Sequence, residues 1–292
     1  LLLGLLGAGG AEAQKVSNPF FPLHNIIRDD STYRTPDQQV ALIKKIGYDG
    51  LEINQLERFE AMKAALDRHR FPASFFYVKL DLDQAALDPR LPGYVAQLQG
   101  STTIVAPYLV GDAKKYPPSS QAGDTLAVRL LGQLADLAQA AGLQVAIYPH
   151  IYFYVERTDH AQQLAQAVNR PNLGLSFNLS HWLATTPAPA REGLRAHLQA
   201  LRPHLKMVTI NGANDVVTTD QNIWNDYILS LGQGSFDTFG LVNYLVNDLG
   251  YPGPIGVQCY NLKGNKEELA RNTFAVWQAY KKKLKKERGK RK

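Results

Sequence analysis

Along most of the chain, short apolar runs rich in aromatic and β-branched residues alternate with longer stretches in which apolar residues recur every three or four positions. The runs read as buried strands and the stretches as helices lying on a sheet. Residues 20–27 form the first run. Thr35, an N-cap, and Pro36, at the first helical position, then open a helix that ends at Gly47. Residues 48–54 predict a second strand, 56–70 a helix and 73–82 a third strand. A short helix near 94–98 leads to a strand at 102–110. The helix 125–141 places Leu126, Leu130, Leu134, Leu137 and Ala141 on one stripe, and Gly142 stops it before strand 143–150. Helix 158–168, strand 174–181, helix 191–201, strand 206–211, helix 236–249 and strand 254–260 follow. A last helix, 266–282, turns Phe274, Trp277 and Tyr280 inward.

Eight strands separated by eight helices over short connections predict an α/β fold, a single-domain (β/α)8 TIM barrel over residues 16–280. The alternative is an open doubly wound sheet, because periodicity alone does not show closure. A length of 292 residues with 45% hydrophobic content suits one barrel with a full core. One connection, 212–235, is too long for a turn and carries Trp224 and Tyr227, so it reads as a flap over the barrel mouth.

The two ends change the picture only locally. Residues 1–10 are Leu, Gly and Ala, followed by Ala11-Glu12-Ala13, the pattern of a truncated secretory signal peptide over 1–13 that predicts a periplasmic or secreted bacterial protein. The run is too short to span a bilayer stably. Its glycines follow no strand, which rules out a dinucleotide fingerprint. Residues 281–292 hold nine Lys or Arg and one Glu, so the net +6 becomes −2 without them. The basic character belongs to what reads as a disordered tail, and the rest of the surface offers nucleic acid no basic track. A lone cysteine, Cys259, excludes an internal disulfide. The oligomeric state stays open.

Barrel sites are built at the carboxyl ends of strands, and this selects residues. His69, His160, His197 and His204 fall on helices, whereas His24, His150 and His181 fall at strand ends. Beside them stand Asn25, Glu52, Asn54, Tyr77, Lys79, Asp81, Tyr148, Asn178, Thr209, Asn211, Gln258 and Tyr260, with Trp182 next to His181. Amides, hydroxyls, imidazoles and an aromatic face converging on one cavity suit a polyhydroxylated small molecule.

The phrase Ile46-Gly47-Tyr48-Asp49-Gly50-Leu51-Glu52 resembles the second-strand segment of the xylose isomerase-like barrels, a superfamily of sugar isomerases, keto-sugar epimerases and endonuclease IV-type enzymes. Ser176-Phe177-Asn178-Leu179-Ser180-His181-Trp182, Leu231-Gly232-Gln233-Gly234 and Gly256-Val257-Gln258-Cys259-Tyr260 resemble later segments, closest to a bacterial sugar phosphate isomerase/epimerase-like group. The resemblance implies a divalent cation held by Glu, Asp, His and Glu on strands five to eight. Those positions here carry Tyr148, Asn178, Thr209 and Gln258. Neutral oxygens lack the charge to hold a hard dication, so the expectation is that no metal or other cofactor is used.

The leading expectation is an exported carbohydrate-active barrel with His150 and His181 as proton carriers and Glu52 or Lys79 as their partner. His24, Asn25, Tyr148, Asn178, Trp182, Asn211, Gln258 and Tyr260 would bind the sugar or keto-sugar. The alternatives are a non-catalytic sugar-binding pseudoenzyme and a metal shifted onto His150, His181, Glu52 and Gln258. Nuclease chemistry lacks its ligands. Glycosidase chemistry lacks facing carboxylates at the ends of strands four and seven.

Overall fold

The structure, a computed structural model, describes residues 16–218 and 222–290. The signal-peptide reading of residues 1–13 lies outside them. Eight parallel strands run β1 Phe20–Pro22, β2 Leu51–Asn54, β3 Ala73–Asp81, β4 Ile104–Val110, β5 Gln144–Ile147, β6 Leu173–Asn178, β7 Leu205–Ile210 and β8 Ile255–Val257. From β2 to β8 each strand pairs with the next in sequence, and β1 pairs with β8, giving the order β1-β8-β7-β6-β5-β4-β3-β2. This is a nearly closed (β/α)8 barrel, and the open doubly wound sheet is excluded.

No ladder joins β1 to β2; the seam is closed by carboxylates. The Phe20 N–H donates to Asp49 Oδ2 (2.8 Å) and the His24 N–H to Glu52 Oε2 (2.6 Å), while Phe20 O accepts from the Asp49 N–H (2.9 Å). Two acidic side chains therefore take the place of ladder bonds.

The helices are α1 Pro36–Ile46, α2 Phe59–Arg68, α3 Leu91–Gln97, α4 Asp124–Ala140, α5 Thr158–Val168, α6 Leu179–Thr185, α7 Leu194–Leu201, α8 Trp224–Tyr227, α9 Thr238–Asn243 and α10 Lys266–Gly289. Helix α1 starts as its sequence predicts, with a capping box between Thr35 and Gln38 and Pro36 in its first turn. The stripe predicted on α4 is rotated: Ala127, Leu130, Leu131, Leu134, Ala135 and Ala138 are buried, while Leu126 and Leu137 sit at its edge.

Several predicted strands are shorter than their apolar runs. The first ends at Pro22 and gives way to a 3-10 turn at His24–Ile26. The sixth ends at Asn178, whose side chain caps α6 by accepting from the His181 N–H (3.2 Å), so His181 and Trp182 lie on a helix and not on the strand. The predicted disordered tail is also corrected. Helix α10 continues to Gly289 with Leu284 fully buried, because an apolar residue recurs at helical spacing from Trp277 and Tyr280.

Side chains sort into two layers. Most pack between the sheet and the helices. A smaller set, including Phe21, Phe75, Ile104, Ala106, Ala146 and Met207, fills the barrel interior and floors the upper cavity. Among the described residues no helix is long and apolar enough to cross a membrane.

Candidate functional site

Above that floor, at the carboxyl ends of the strands, lies a cavity of about 330 Å³. Asn25, Glu52, Tyr148, His150, His181, Gln258 and Tyr260 line it, seven of the residues selected from sequence.

Two imidazoles form its reactive wall. The His150 and His181 rings stand 4.0 Å apart, centroid to centroid. His150 Nδ1 donates to the Ile151 carbonyl (2.8 Å), which fixes the tautomer and leaves Nε2 as a lone-pair acceptor. His181 is 4% exposed, and among the described residues neither of its ring nitrogens has a hydrogen-bond partner. Burial lowers the pKa of both rings. That of His181 falls well below the usual imidazole value, with the His150 charge adding to the effect. Both are neutral at pH 7 and able to accept a proton.

An aromatic ribbon continues from the imidazoles. His150 stacks on Phe153 (4.1 Å), Phe153 on Tyr108 (5.3 Å) and Tyr108 on Tyr77 (4.4 Å). Phe153 and Tyr108 are each stacked between two other rings, so the ribbon forms a rigid apolar wall beside the amides of the rim. Gln258 Oε1 already accepts from Asn25 Nδ2 and from the Cys259 and Tyr260 N–H groups, so Gln258 offers its NH2 end.

On the opposite wall Glu52 is 2% exposed and accepts from the His24 N–H and from Asn54 Nδ2 (2.8 Å). Burial raises its pKa, and the two hydrogen bonds oppose that shift. Arg28, which sequence reasoning missed, donates to Asn54 Oδ1 (3.0 Å) and brings a cation to the same wall.

Five of the twelve residues given catalytic or binding roles from sequence do not line the cavity. His24 turns to Gln39 on α1 (2.7 Å). Lys79 stands beyond the rim, its side chain 50% exposed and paired with Asp81 at 3.2 Å; at about 3.3 Å per residue, two steps past Tyr77 carry it out of the cavity. Asn178 donates to the Tyr148 hydroxyl and lies behind it. Asn178 and Trp182 instead line a side pocket of about 220 Å³ that also touches His181. Asn211 is fully buried and ties the lid down, donating to Gly212 O (2.7 Å) and Tyr227 O (2.6 Å).

The loop read as a flap is folded onto the barrel. Gly212 bridges Leu229, and Asp226 accepts from Asn214 Nδ2 and from the Thr218 N–H and hydroxyl. Glycine is required at its base, since a Cβ on Gly234 would fall 2.0 Å from Ala213 O. The lid sets the Trp224 edge against His181, 5.5 Å between ring centroids.

Residues absent from the sequence-based selection also shape the site: Arg28, Gln55, Phe153 and Ile228. Gln55 carries a local signal only in three dimensions. It has φ +71° and ψ +156°, a region nearly exclusive to glycine that costs about 1–3 kcal/mol.

The four positions that the resemblance aligns with metal ligands, Tyr148, Asn178, Thr209 and Gln258, carry no charge with which to hold a dication. They carry a phenol, two amides and a hydroxyl, and burial pushes the Tyr148 phenol up, which keeps it protonated. Tyr148 and Asn178 bond to each other, and Gln258 turns its oxygen away. Among the described residues no three His, Cys, Asp or Glu side chains group to hold a metal, the set His150, His181 and Glu52 included.

A family model described as xylose isomerase-like TIM barrel matches residues 40–280. No curated protein matches the chain in sequence. Solved structures do match in fold. The chain is similar to the 3-keto-D-glucoside 4-epimerase of E. coli at 15% identity, covering 90% of this chain and 99% of that one with a TM-score of 0.65. It is similar to the D-allulose 3-epimerase of Methylomonas sp. in complex with D-allulose, at 17% identity, 90% and 97% coverage and TM-score 0.65. An L-ribulose 3-epimerase gives 14% identity, 92% and 96% coverage and TM-score 0.69.

Proposed function

Because the chain belongs to the xylose isomerase-like TIM barrel family, we propose that its strand-end cavity binds a sugar or keto-sugar and interconverts it by proton transfer without a divalent cation. One observation carries the reading: two neutral imidazoles, 4.0 Å apart, share a cavity with a stacked aromatic ribbon and inward-facing amides. His150 Nε2 takes a proton from the carbon beside the substrate carbonyl. The C–H electron pair becomes the C=C bond of an enediolate, and the carbonyl oxygen takes the negative charge. The Gln258 NH2 and the Arg28 guanidinium are the donors available to that oxygen. Return of the proton through the His150–His181 pair to the neighbouring carbon, with the hydroxyl proton passing to the former carbonyl oxygen, gives isomerisation. Protonation of the original carbon from the Glu52 side, the opposite face of the enediolate, gives epimerisation. Glu52, neutral or charged according to pH, is the acid partner across the cavity. The neutral metal positions support the cation-free form of this chemistry. The sugars named for the similar structures, D-allulose and a 3-keto-D-glucoside, support the ligand class.

The hydrogen-bonded, uncharged Tyr148–Asn178 pair also favours a second reading, a barrel that binds sugar without turning it over. The pattern over 1–13 supports export to the periplasm or medium, and mass spectrometry of the secreted chain would find cleavage after Ala13. The deciding experiment incubates the full chain with a panel of keto-sugars in D2O and chelator and follows the α-hydrogens by NMR. Exchange that is lost on His150→Gln supports the enzyme. Calorimetric binding without exchange supports the binder, and neither binding nor exchange sinks both.

A further inference from the structure

We propose that the ligand is a glycoside of two units, the first in the inner cavity and the second in a groove between the β2 and β3 loops that is lined by Lys79, Arg90 and Leu87. This rests on the reading of the inner cavity as a sugar site. The groove encloses about 720 Å³ and shares two residues with the inner cavity, Gln55 and Tyr108, so the spaces adjoin across a single pair of side chains.

That pair is a built junction. The Tyr108 hydroxyl donates to Gln55 Oε1 (3.0 Å), and the Gln55 N–H is anchored on Tyr77 O (3.0 Å). Gln55 adopts the glycine-type backbone noted above, so the chain places an amide side chain where glycine would sit without strain. The outcome is an amide and a phenol, hydrogen-bonded to each other, that stand between the two spaces and offer donors and acceptors suited to a glycosidic oxygen and its neighbouring hydroxyls.

The groove's chemistry selects the second unit. Lys79 pairs with Asp81 (3.2 Å), and Arg90 pairs with both Asp88 (2.8 Å) and Glu57 (3.0 Å). Two cations against three anions give net −1, which disfavours phosphate or carboxylate. Side chains held in ion pairs present fixed hydrogen-bonding atoms to neutral hydroxyls. Leu87, Pro89 and the Tyr108 ring add apolar surface for C–H faces. An uncharged hydroxylated ring fits this mixture better than an apolar aglycone. Lys79, selected from sequence as a catalytic partner, thereby takes a place in recognition of the outer unit.

The test is calorimetry on the full chain with D-glucose, D-fructose and D-allulose and with the disaccharides cellobiose, maltose and sucrose. At least one disaccharide is expected to bind ten-fold or more tightly than its component hexoses. Lys79→Ala and Ala86→Trp, both at exposed positions in the groove, should return that disaccharide to the hexose affinity while leaving hexose binding unchanged; thermal melts verify that both variants fold. Equal affinity for hexoses and disaccharides, or equal weakening of both by the groove variants, would overturn the outer subsite and leave the inner one standing. Absence of binding by every sugar would remove the inner-cavity reading and this proposal with it.

Discussion

Glu52 joins the fold to the candidate chemistry, and two substitutions separate those roles. In Glu52→Ala the His24 N–H loses its acceptor at a seam where no ladder bond can replace it. A buried donor left unpaired costs about 1–3 kcal/mol. Loss of the one buried methylene, Cγ, adds about 0.8 kcal/mol. The expected destabilisation is about 2–4 kcal/mol, a large share of a domain's stability. Glu52→Gln keeps an oxygen for His24, removes the buried charge and disturbs only the Asn54 bond, so at pH 7 it should stay within about 1 kcal/mol of the parent. Turnover should nevertheless fall, since the amide cannot exchange a proton. The pH dependence has a definite sign. Burial raises the Glu52 pKa, so its contribution is full below the unfolded carboxyl value of 4.5 and is lost as pH rises through the higher folded value. The parent should therefore gain stability relative to Glu52→Gln on acidification from pH 7. Urea unfolding followed by tryptophan fluorescence at several pH values measures both costs and their pH dependence, and α-hydrogen exchange in D2O measures the turnover. A cost below 1 kcal/mol for Glu52→Ala, or a parent-minus-Gln difference that shrinks towards acid, would refute the seam argument.

Further outcomes are specific to other elements. Burial lowers the His24 pKa to about 4 from 6.5, and a depressed imidazole withdraws stability as pH falls through that window. His24→Gln should flatten the acid limb between pH 6.5 and 4 by about 3 kcal/mol, read from denaturation midpoints. Leu284→Ala should cost roughly 2–5 kcal/mol, as for a core leucine, whereas an unstructured tail would show no change in melting temperature. Chelator should leave the melting temperature and any sugar affinity of the parent unchanged. The combined Tyr148→Glu, Asn178→Asp, Thr209→His and Gln258→Glu chain should gain affinity for Mn2+ by calorimetry, and a folded but metal-blind variant would show that these four positions do not converge.

The sequence by itself determined the barrel, because hydrophobic period and caps are local properties. The Thr35-Pro36 start of α1, the eight apolar runs and the helical spacing between them are each decided within about ten residues. It also determined which chemistry was available at strand ends, and the Tyr148, His150, Gln258 and Glu52 positions follow from alternation along a strand. Only the tertiary structure decided where the chain turns once a strand has ended. His24 leaves β1 through a 3-10 turn and faces α1. His181 enters on a helix capped by Asn178, and Lys79 overshoots the rim because β3, paired with β4 to its last residue, runs on past the end of β2 at Tyr77. Leu284 shows the same limit at the far end, since a run of lysines reads as solvated until one buried leucine pins it to the barrel. Gln55 and Arg28 carry no local mark at all. Their roles arise from a strained backbone and from side chains more than twenty residues distant, which are properties of packing and not of pattern.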